Sequence, residues 1–228
     1  MSIRYDVLVI GSGAAGGSAA RILKSGGLSV AMAESGDFGG TCALRGCEPK
    51  KVLAETAHAV ARVREMRERN GVRGDVSIHW PDLAALKQGY VDSVPPRAES
   101  SYEASGIDLY YGRARFTGPG TVDVDGEEIE AGKVVIATGS KPRPLTFPGV
   151  EHLSTSDDFL NLKTLPERIA FIGGGYIAME FSHIAAIAGA RVMMAVRGGR
   201  CLKRFEPELT EELCRATHAL GVEVVYNS

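Results

Sequence analysis

Short apolar runs that end in glycine alternate along the chain with longer stretches of small-residue or amphipathic helix. Tyr5 to Ile10 reads as a buried strand, Gly11 to Gly16 as a turn, and Ala14 to about Lys24 as a small-residue helix. Leu28 to Ala33 reads as a second strand ending at Glu34, which completes a βαβ unit. A glycine-rich loop at 35–41 follows, then a helical pattern from Pro49 to about Asn70 that is rich in Ala, Arg and Glu. A further helical pattern, Pro81 to Ser105, contains Pro95-Pro96, which predicts a break or kink.

Residues 107–137 change character. Strand-like runs (IDLYYGRARF, TVDVD, EEIEA, KVVIAT) are separated by Gly118-Pro119-Gly120, Asp125-Gly126 and Gly132, a β-meander signal. Residues 139–166 are proline-rich and loop-like, a plausible domain boundary. A second βαβ pattern starts at Arg168: strand IAFIG, a glycine turn, a helix through Ala188, strand RVMMAV, a helix from about Pro207 to Leu220, and strand VEVVY. The expected fold is α/β: two Rossmann-type halves with an antiparallel β-meander insertion, divided as 1–148 and 149–228.

Composition narrows the class. With 26 Lys+Arg against 28 Asp+Glu the formal charge is −2, so there is no cationic excess for general binding to nucleic acid or an acidic membrane. Apolar stretches such as Val134 to Ala137 and Ile184 to Ala188 fall far short of the ~20 residues that span a bilayer. The N-terminal residues enter a strand pattern at once without a signal-peptide pattern, so a cytoplasmic protein is expected. Glycine is abundant, 28 of 228 residues, against a usual ~7%. Four cysteines are too few for a disulfide scaffold, and in a reducing compartment a close pair is more often catalytic, redox-active or metal-binding.

Gly11-Ser12-Gly13-Ala14-Ala15-Gly16 matches GxGxxG between strand and helix. The first glycine makes the tight turn, the second lets backbone approach a pyrophosphate, and the third lets helix and strand pack closely. Glu34 lies 23 residues past Gly11, where an acid accepts hydrogen bonds from ribose hydroxyls. Gly173-Gly174-Gly175-Tyr176-Ile177-Ala178 is a second fingerprint, GxGxxA. At the same offset this half has Val196 followed by Arg197, with Arg200, Lys203 and Arg204 in the same loop. A carboxylate there would repel a 2′-phosphate and guanidinium donors would pair with one, which favours NADPH over NADH.

Gly39-Gly40-Thr41-Cys42 and Cys47-Glu48-Pro49-Lys50 frame a third motif. Two thiols with four residues between them at a helix start can close a small disulfide, and the helix N-terminus with Lys50 and Lys51 favours a thiolate at one of them. A merely structural pair remains open. A structural zinc site is not expected, since no second Cys/His pair has the spacing, and no metal is expected elsewhere.

A FAD-type fingerprint, then GGTCxxxxC followed by Pro-Lys, a strand ending Ala137-Thr138-Gly139, and GGGYIAME, in this order, resembles the flavoprotein disulfide reductases. These are the class I pyridine nucleotide–disulfide oxidoreductases, including glutathione reductase, dihydrolipoamide dehydrogenase and mercuric reductase. The likeness covers essentially the whole chain. It implies FAD on the first half, with Gly11, Gly13 and Gly16 under the pyrophosphate, Glu34 on the ribose, Gly40 and Thr41 along the phosphates, and Ala137, Thr138 and Gly139 approaching from the meander. It implies NADPH on the second half, held by Gly173, Gly175 and Ala178 with Arg197 and Lys203 at the 2′-phosphate. Electrons would pass from NADPH through flavin to a Cys42–Cys47 disulfide and on to a small-molecule or protein disulfide. Cys47 would face the flavin, Cys42 would attack substrate, Lys50 would pair with Glu180 beside the flavin, and Tyr176 would cover it.

The motif departs from better-known members at Ala43, Leu44, Arg45 and Glu48. Arg21 matches a substrate-side arginine of glutathione reductases, but its companion positions read Ala14 and Ala98, which does not support glutathione. The resemblance also implies a further dimerisation domain carrying a His-Glu pair, and the five histidines (58, 79, 152, 183, 218) do not match it. Cys201 and Cys214 read as ordinary cysteines. The expectation is therefore the N-terminal part of a homodimeric enzyme, binding FAD weakly and turning over negligibly by itself. Alternatives are an NADPH-dependent flavin oxidase, quinone reductase or transhydrogenase, or a non-catalytic nucleotide-binding fragment.

Overall fold

A computed structural model describes residues 3–69 and 71–228. Two compact units emerge, one of residues 1–49 and 88–157, the other of 50–87 and 158–228. The division falls within two long helices, so each of them contributes one end to each unit.

In the first unit, strand β1 (Ile3–Ile10), helix α1 (Ala14–Ser25) and strand β2 (Val30–Glu34) form the expected βαβ. Helix α2 (Gly40–Arg45) precedes the long helix α3 (Cys47–Arg69), and α4 runs over Trp80–Ala104. Strands β3 (Asp108–Tyr111), β4 (Ala114–Gly118), β5 (Thr121–Val124) and β6 (Glu127–Ile136) complete a six-stranded sheet ordered β3-β2-β1-β6-β5-β4. β3, β2, β1 and β6 run parallel, while β4–β5–β6 is an antiparallel meander. Alternation in β1 sorts side chains to two faces. Leu8 joins Ala31, Val122 and Ile129 on one, whereas Val7 and Val9 pack with Ala20, Met32, Phe38 and Tyr102 on the other.

The second unit holds a three-stranded parallel sheet, β7 (Arg168–Ile172), β8 (Arg191–Val196) and β9 (Glu223–Tyr226), in that order. Helix α6 (Tyr176–Ile187) connects β7 to β8, and α7 (Pro207–Ala219) connects β8 to β9. Its core gathers Leu53 and Ala57 of α3, Trp80 and Leu83 of α4, Phe181 and Ile184 of α6, and Met194 of β8. Phe159 stacks on Phe181 at 4.3 Å between centroids, and the Trp80 indole donates to the Leu162 carbonyl at 2.9 Å.

Several expectations need correction. Helix α4 continues without interruption through Pro95 and Pro96. The two prolines remove amide donors, but Trp80, Leu83 and Ala84 anchor one end of the helix and Tyr102 and Ala98 the other, each in its own core. The run IDLYYGRARF is two strands, because Gly112, at φ 143°, turns the chain where a Cβ would meet the Asp125 side chain at 2.6 Å. The first piece, β3, joins the nucleotide-type sheet beside β2, and only the second enters the meander. Gly132 does not divide a strand; β6 passes through it, with the Asp6 carbonyl oxygen 3.0 Å from where a Cβ would lie. The glycine-rich loop ends in α2, and the long helix starts at Cys47, which leaves Pro49 in its first turn where a missing amide costs little. Asn70, the expected end of that helix, lies outside the described residues. Residues 139–166 contain a 3-10 turn (Val150–His152) and helix α5 (Ser156–Leu160).

Candidate functional site

In the first turn, Gly11 has φ 103°, and a Cβ there would sit 2.3 Å from the Ala137 carbonyl oxygen. A Cβ on Gly16 would sit 1.9 Å from the Gly11 carbonyl oxygen, and one on Gly40 2.3 Å from the Gly13 Cα. Gly11, Gly13, Gly16, Gly40 and Ala137 are therefore brought together by backbone-to-backbone approach. Gly13 caps α1 with no side-chain hydrogen bond, which leaves the first amides of that helix open to an anion. Thr41, Thr138 and Gly139 are exposed near this turn's two neighbouring segments, Gly139 with φ 71°.

Glu34 occupies the end of β2, with all four carboxylate acceptor sites taken by the chain itself. Oε2 accepts from the Ser12 amide at 2.9 Å and the Ser12 hydroxyl at 2.8 Å. Oε1 accepts from the Ser35 and Gly36 amides at 2.8 and 3.1 Å. Burial by itself would raise this carboxyl, but the Ser12, Gly36 and Ser35 hydrogen bonds outweigh it and hold the group below its ordinary value. Ser12 was missed in the sequence because it stands at a free position of the motif. It is buried, its hydroxyl also accepts from the Gly39 amide at 3.0 Å, and its carbonyl accepts from the Tyr102 hydroxyl at 3.2 Å.

Cys42 lies in α2 and Cys47 opens α3, both as free thiols in mutual hydrogen-bond contact. Gly46 makes the joint, where a Cβ would meet the Thr41 carbonyl oxygen at 2.9 Å. The hydrogen bond to Cys47 is the main cause that pushes the Cys42 thiol above its ordinary value, helped by burial. The contact thus favours the protonated Cys42 thiol.

Within the second unit, Lys50 donates to Glu180 Oε1 at 2.6 Å, joining α3 to α6. Gly173 has φ 117°, and Gly175 caps α6 with no side-chain hydrogen bond and no atom within 4 Å of an added Cβ. Ala178 at the third motif position is partly buried on the core, and Tyr176 is 61% exposed at the first turn of α6. Arg197 and Lys203 are both exposed on the loop after β8, with Lys203 Nζ 2.3 Å from where a Gly198 Cβ would lie. Gly174 was not singled out in the sequence, yet its carbonyl accepts from the Leu202 amide at 2.7 Å and its added Cβ would lie 3.1 Å from Cys201 Sγ.

Residues 5–228 match the family model described as pyridine nucleotide-disulphide oxidoreductase. The chain belongs to this family. A glutathione reductase of Burkholderia cepacia is 36% identical over 96% of the chain, and a mercuric reductase of Staphylococcus aureus 33% identical over 97%. The chain covers 49% and 41% of those two proteins, so it spans about half the length of the curated relatives it matches. Among solved structures, the HOCl-induced flavoprotein disulfide reductase RclA from Escherichia coli aligns with TM-score 0.83 at 27% identity, over 98% of this chain and 49% of that one.

This pyridine nucleotide-disulphide oxidoreductase family is FAD-dependent, and glutathione reductases in it use FAD and NADPH. The residues present fit such groups. Two uncapped helix N-termini follow glycine turns, and one turn has open space at Gly175 while the other presses backbone against backbone. No helix among the described residues is long and apolar enough to cross a membrane.

Proposed function

We propose that this chain carries the flavin and nicotinamide sites of an NAD(P)H:disulfide oxidoreductase that reduces a small-molecule or protein disulfide. The observation that carries the reading is the thiol pair itself, Cys42 beside Cys47 at the joint of α2 and α3. When bound, FAD supplies the two-electron relay between NADPH and this pair.

The chain's own groups divide the remaining work. Gly11, Gly13, Gly16, Gly40, Thr41, Ala137, Thr138 and Gly139 bind the FAD phosphates, and the α1 amides face the pyrophosphate. Glu34 would take the ribose in exchange for the Ser12 hydroxyl, the one donor on the carboxylate free to rotate. Gly173, Gly175 and Ala178 receive the nicotinamide nucleotide, with Arg197 and Lys203 on its 2′-phosphate. Cys47 would lie on the flavin side, and Cys42 would attack the substrate disulfide: its sulfur bonds to one substrate sulfur as the S–S bond breaks and the Cys42 proton goes to the departing thiol, and Cys47 then displaces the second thiol by closing the Cys42–Cys47 disulfide. Lys50, held by Glu180, fixes a positive charge one helical turn beyond Cys47, and Tyr176 shields the nicotinamide side. A homodimer and a reducing, cytoplasmic setting go with this reading.

The test is anaerobic reduction of the FAD-reconstituted chain with NADPH. A long-wavelength charge-transfer absorption is expected in wild type on two-electron reduction, in Cys42→Ser before reductant is added, and not in Cys47→Ser. Its persistence in Cys47→Ser sinks the assignment. Oxygen or quinone consumption without thiol release from disulfides would instead indicate a flavin oxidase or quinone reductase.

A further inference from the structure

The disulfide chemistry proposed above leaves two of the four cysteines unused, and the second unit brings them together. Cys201 lies on the loop after β8, fully buried, and Cys214 lies on α7, partly exposed. Cys214 packs against the buried cluster that holds Cys201, and the Tyr226 hydroxyl interacts with both sulfurs. The Tyr226 hydroxyl of β9 donates to Cys214 Sγ at 3.7 Å and orients that sulfur. Cys214 and Tyr226 line a cavity of about 390 Å³ together with Arg200, Arg215 and His218, so a small oxidant can reach Cys214 from solvent. Cys214 lines that cavity and Cys201 is buried, so Cys214 is the sulfur an oxidant meets first.

We propose that Cys201 and Cys214 are a second redox-active pair, and that their disulfide clamps the loop beside the second glycine turn. With a peroxide as oxidant the steps balance. The Cys214 sulfur attacks one peroxide oxygen, an S–O bond forms as the O–O bond breaks, and the leaving oxygen departs as water with the thiol proton. The Cys201 sulfur then attacks Cys214, the S–S bond forms as the S–O bond breaks, and the second oxygen leaves as water with the Cys201 proton. Two thiols and one peroxide give one disulfide and two waters, and an external dithiol reverses the change.

The loop has reason to respond. Bond formation draws the sulfurs to ~2.05 Å, and Cys201 is the residue against which Gly174 packs, with Leu202 hydrogen-bonded to the Gly174 carbonyl. Arg197, Arg200 and Lys203 sit on the same loop, and the Arg200 guanidinium donates to the Lys203 carbonyl at 2.7 Å. A consequence for nucleotide affinity rests on the reading of this turn as the NADPH site; the cross-link does not.

The experiment uses the chain with Cys42→Ser and Cys47→Ser, treated with hydrogen peroxide, alkylated, and digested with trypsin without reductant. The expected product joins peptide 201–203 to peptide 205–215 and disappears with dithiothreitol. Recovery of both peptides alkylated, or of an oxidised Cys214 beside an alkylated Cys201, overturns the pair. Amide exchange across 197–204 is expected to slow in the cross-linked chain, and unchanged exchange overturns the clamp. Adenosine 2′,5′-bisphosphate is expected to bind about tenfold more weakly after oxidation, an effect that Cys214→Ser abolishes. Binding in neither redox state would count against the nucleotide reading while the cross-link stands.

Discussion

A methyl group on Gly16 would lie 1.9 Å from the Gly11 carbonyl oxygen, whereas one on Gly175 would touch nothing within 4 Å. The two fingerprints share a spelling but not a mechanical demand. In the first turn Gly11 and Gly16 exist because backbone meets backbone. In the second, Ala178 already carries a methyl at the position of Gly16, and Gly175 has the ordinary φ of −85°. Gly16→Ala is therefore expected to destabilise by more than the ~1–3 kcal/mol usual for overpacking, since the obstacle is carbonyl backbone and not a mobile side chain. Gly175→Ala should leave stability unchanged or raise it by about 0.5 kcal/mol through the unfolded chain. Urea denaturation of both variants checks the contrast. The motif letters made the glycines legible in the sequence, but not Ser12, which ties Glu34, Gly39 and Tyr102 into one network. A free motif position carries no signal of what its side chain will reach across the fold.

Elements were legible wherever periodicity and glycine punctuation agreed, as in β7, α6, β8, α7 and β9. They were misread where a local rule met a tertiary constraint. Pro95 and Pro96 argue locally for a break, yet α4 runs on because both of its ends are anchored by buried aromatics. Pro96 is exposed, and its ring denies the Asp92 carbonyl the amide that a helix would offer. Pro96→Ala should restore that bond and stabilise by about 1–2 kcal/mol, part of the ~3 kcal/mol propensity difference, with a higher melting temperature as the readout. Helix α6 ends on a different device: the Arg64 guanidinium of α3 donates to the Ile187 carbonyl at 2.8 Å and to Val76 at 3.4 Å. An arginine in a helix of Ala, Arg and Glu gives no hint in sequence that it caps another helix. Arg64→Ala should cost about 1–3 kcal/mol, the usual range for hydrogen bonds to a charged donor, and faster amide exchange should concentrate at the end of α6.

Across the whole molecule, acid acts on the two units through different groups at different pH. In the second unit the His183 Nε2 lies 2.8 Å from Thr217 Oγ1, and that hydroxyl spends its proton on the Leu213 carbonyl at 2.7 Å. The imidazole must then donate from Nε2, as a neutral ring. Burial first, and the nearby His58 second, hold its pKa below the ordinary value. In the first unit Glu34 is also lowered, its hydrogen bonds outweighing its burial. Both groups bind a proton more readily in the unfolded chain, so both contribute stability that is present above the unfolded pKa and lost as pH falls through the folded one. The windows differ, because the unfolded values are ~6.5 for histidine and ~4.3 for glutamate. Stability is therefore expected to fall in two stages on acidification, first below about pH 6.5 and then in the carboxylate range. His183→Gln, which can still donate to Thr217, should flatten the first stage and leave the second; Glu34→Gln should do the reverse and lower the neutral-pH stability by ~1–3 kcal/mol through its lost charged hydrogen bonds. Urea midpoints measured from pH 8 to pH 4 decide it: a first stage that survives His183→Gln would place the sensitive group elsewhere.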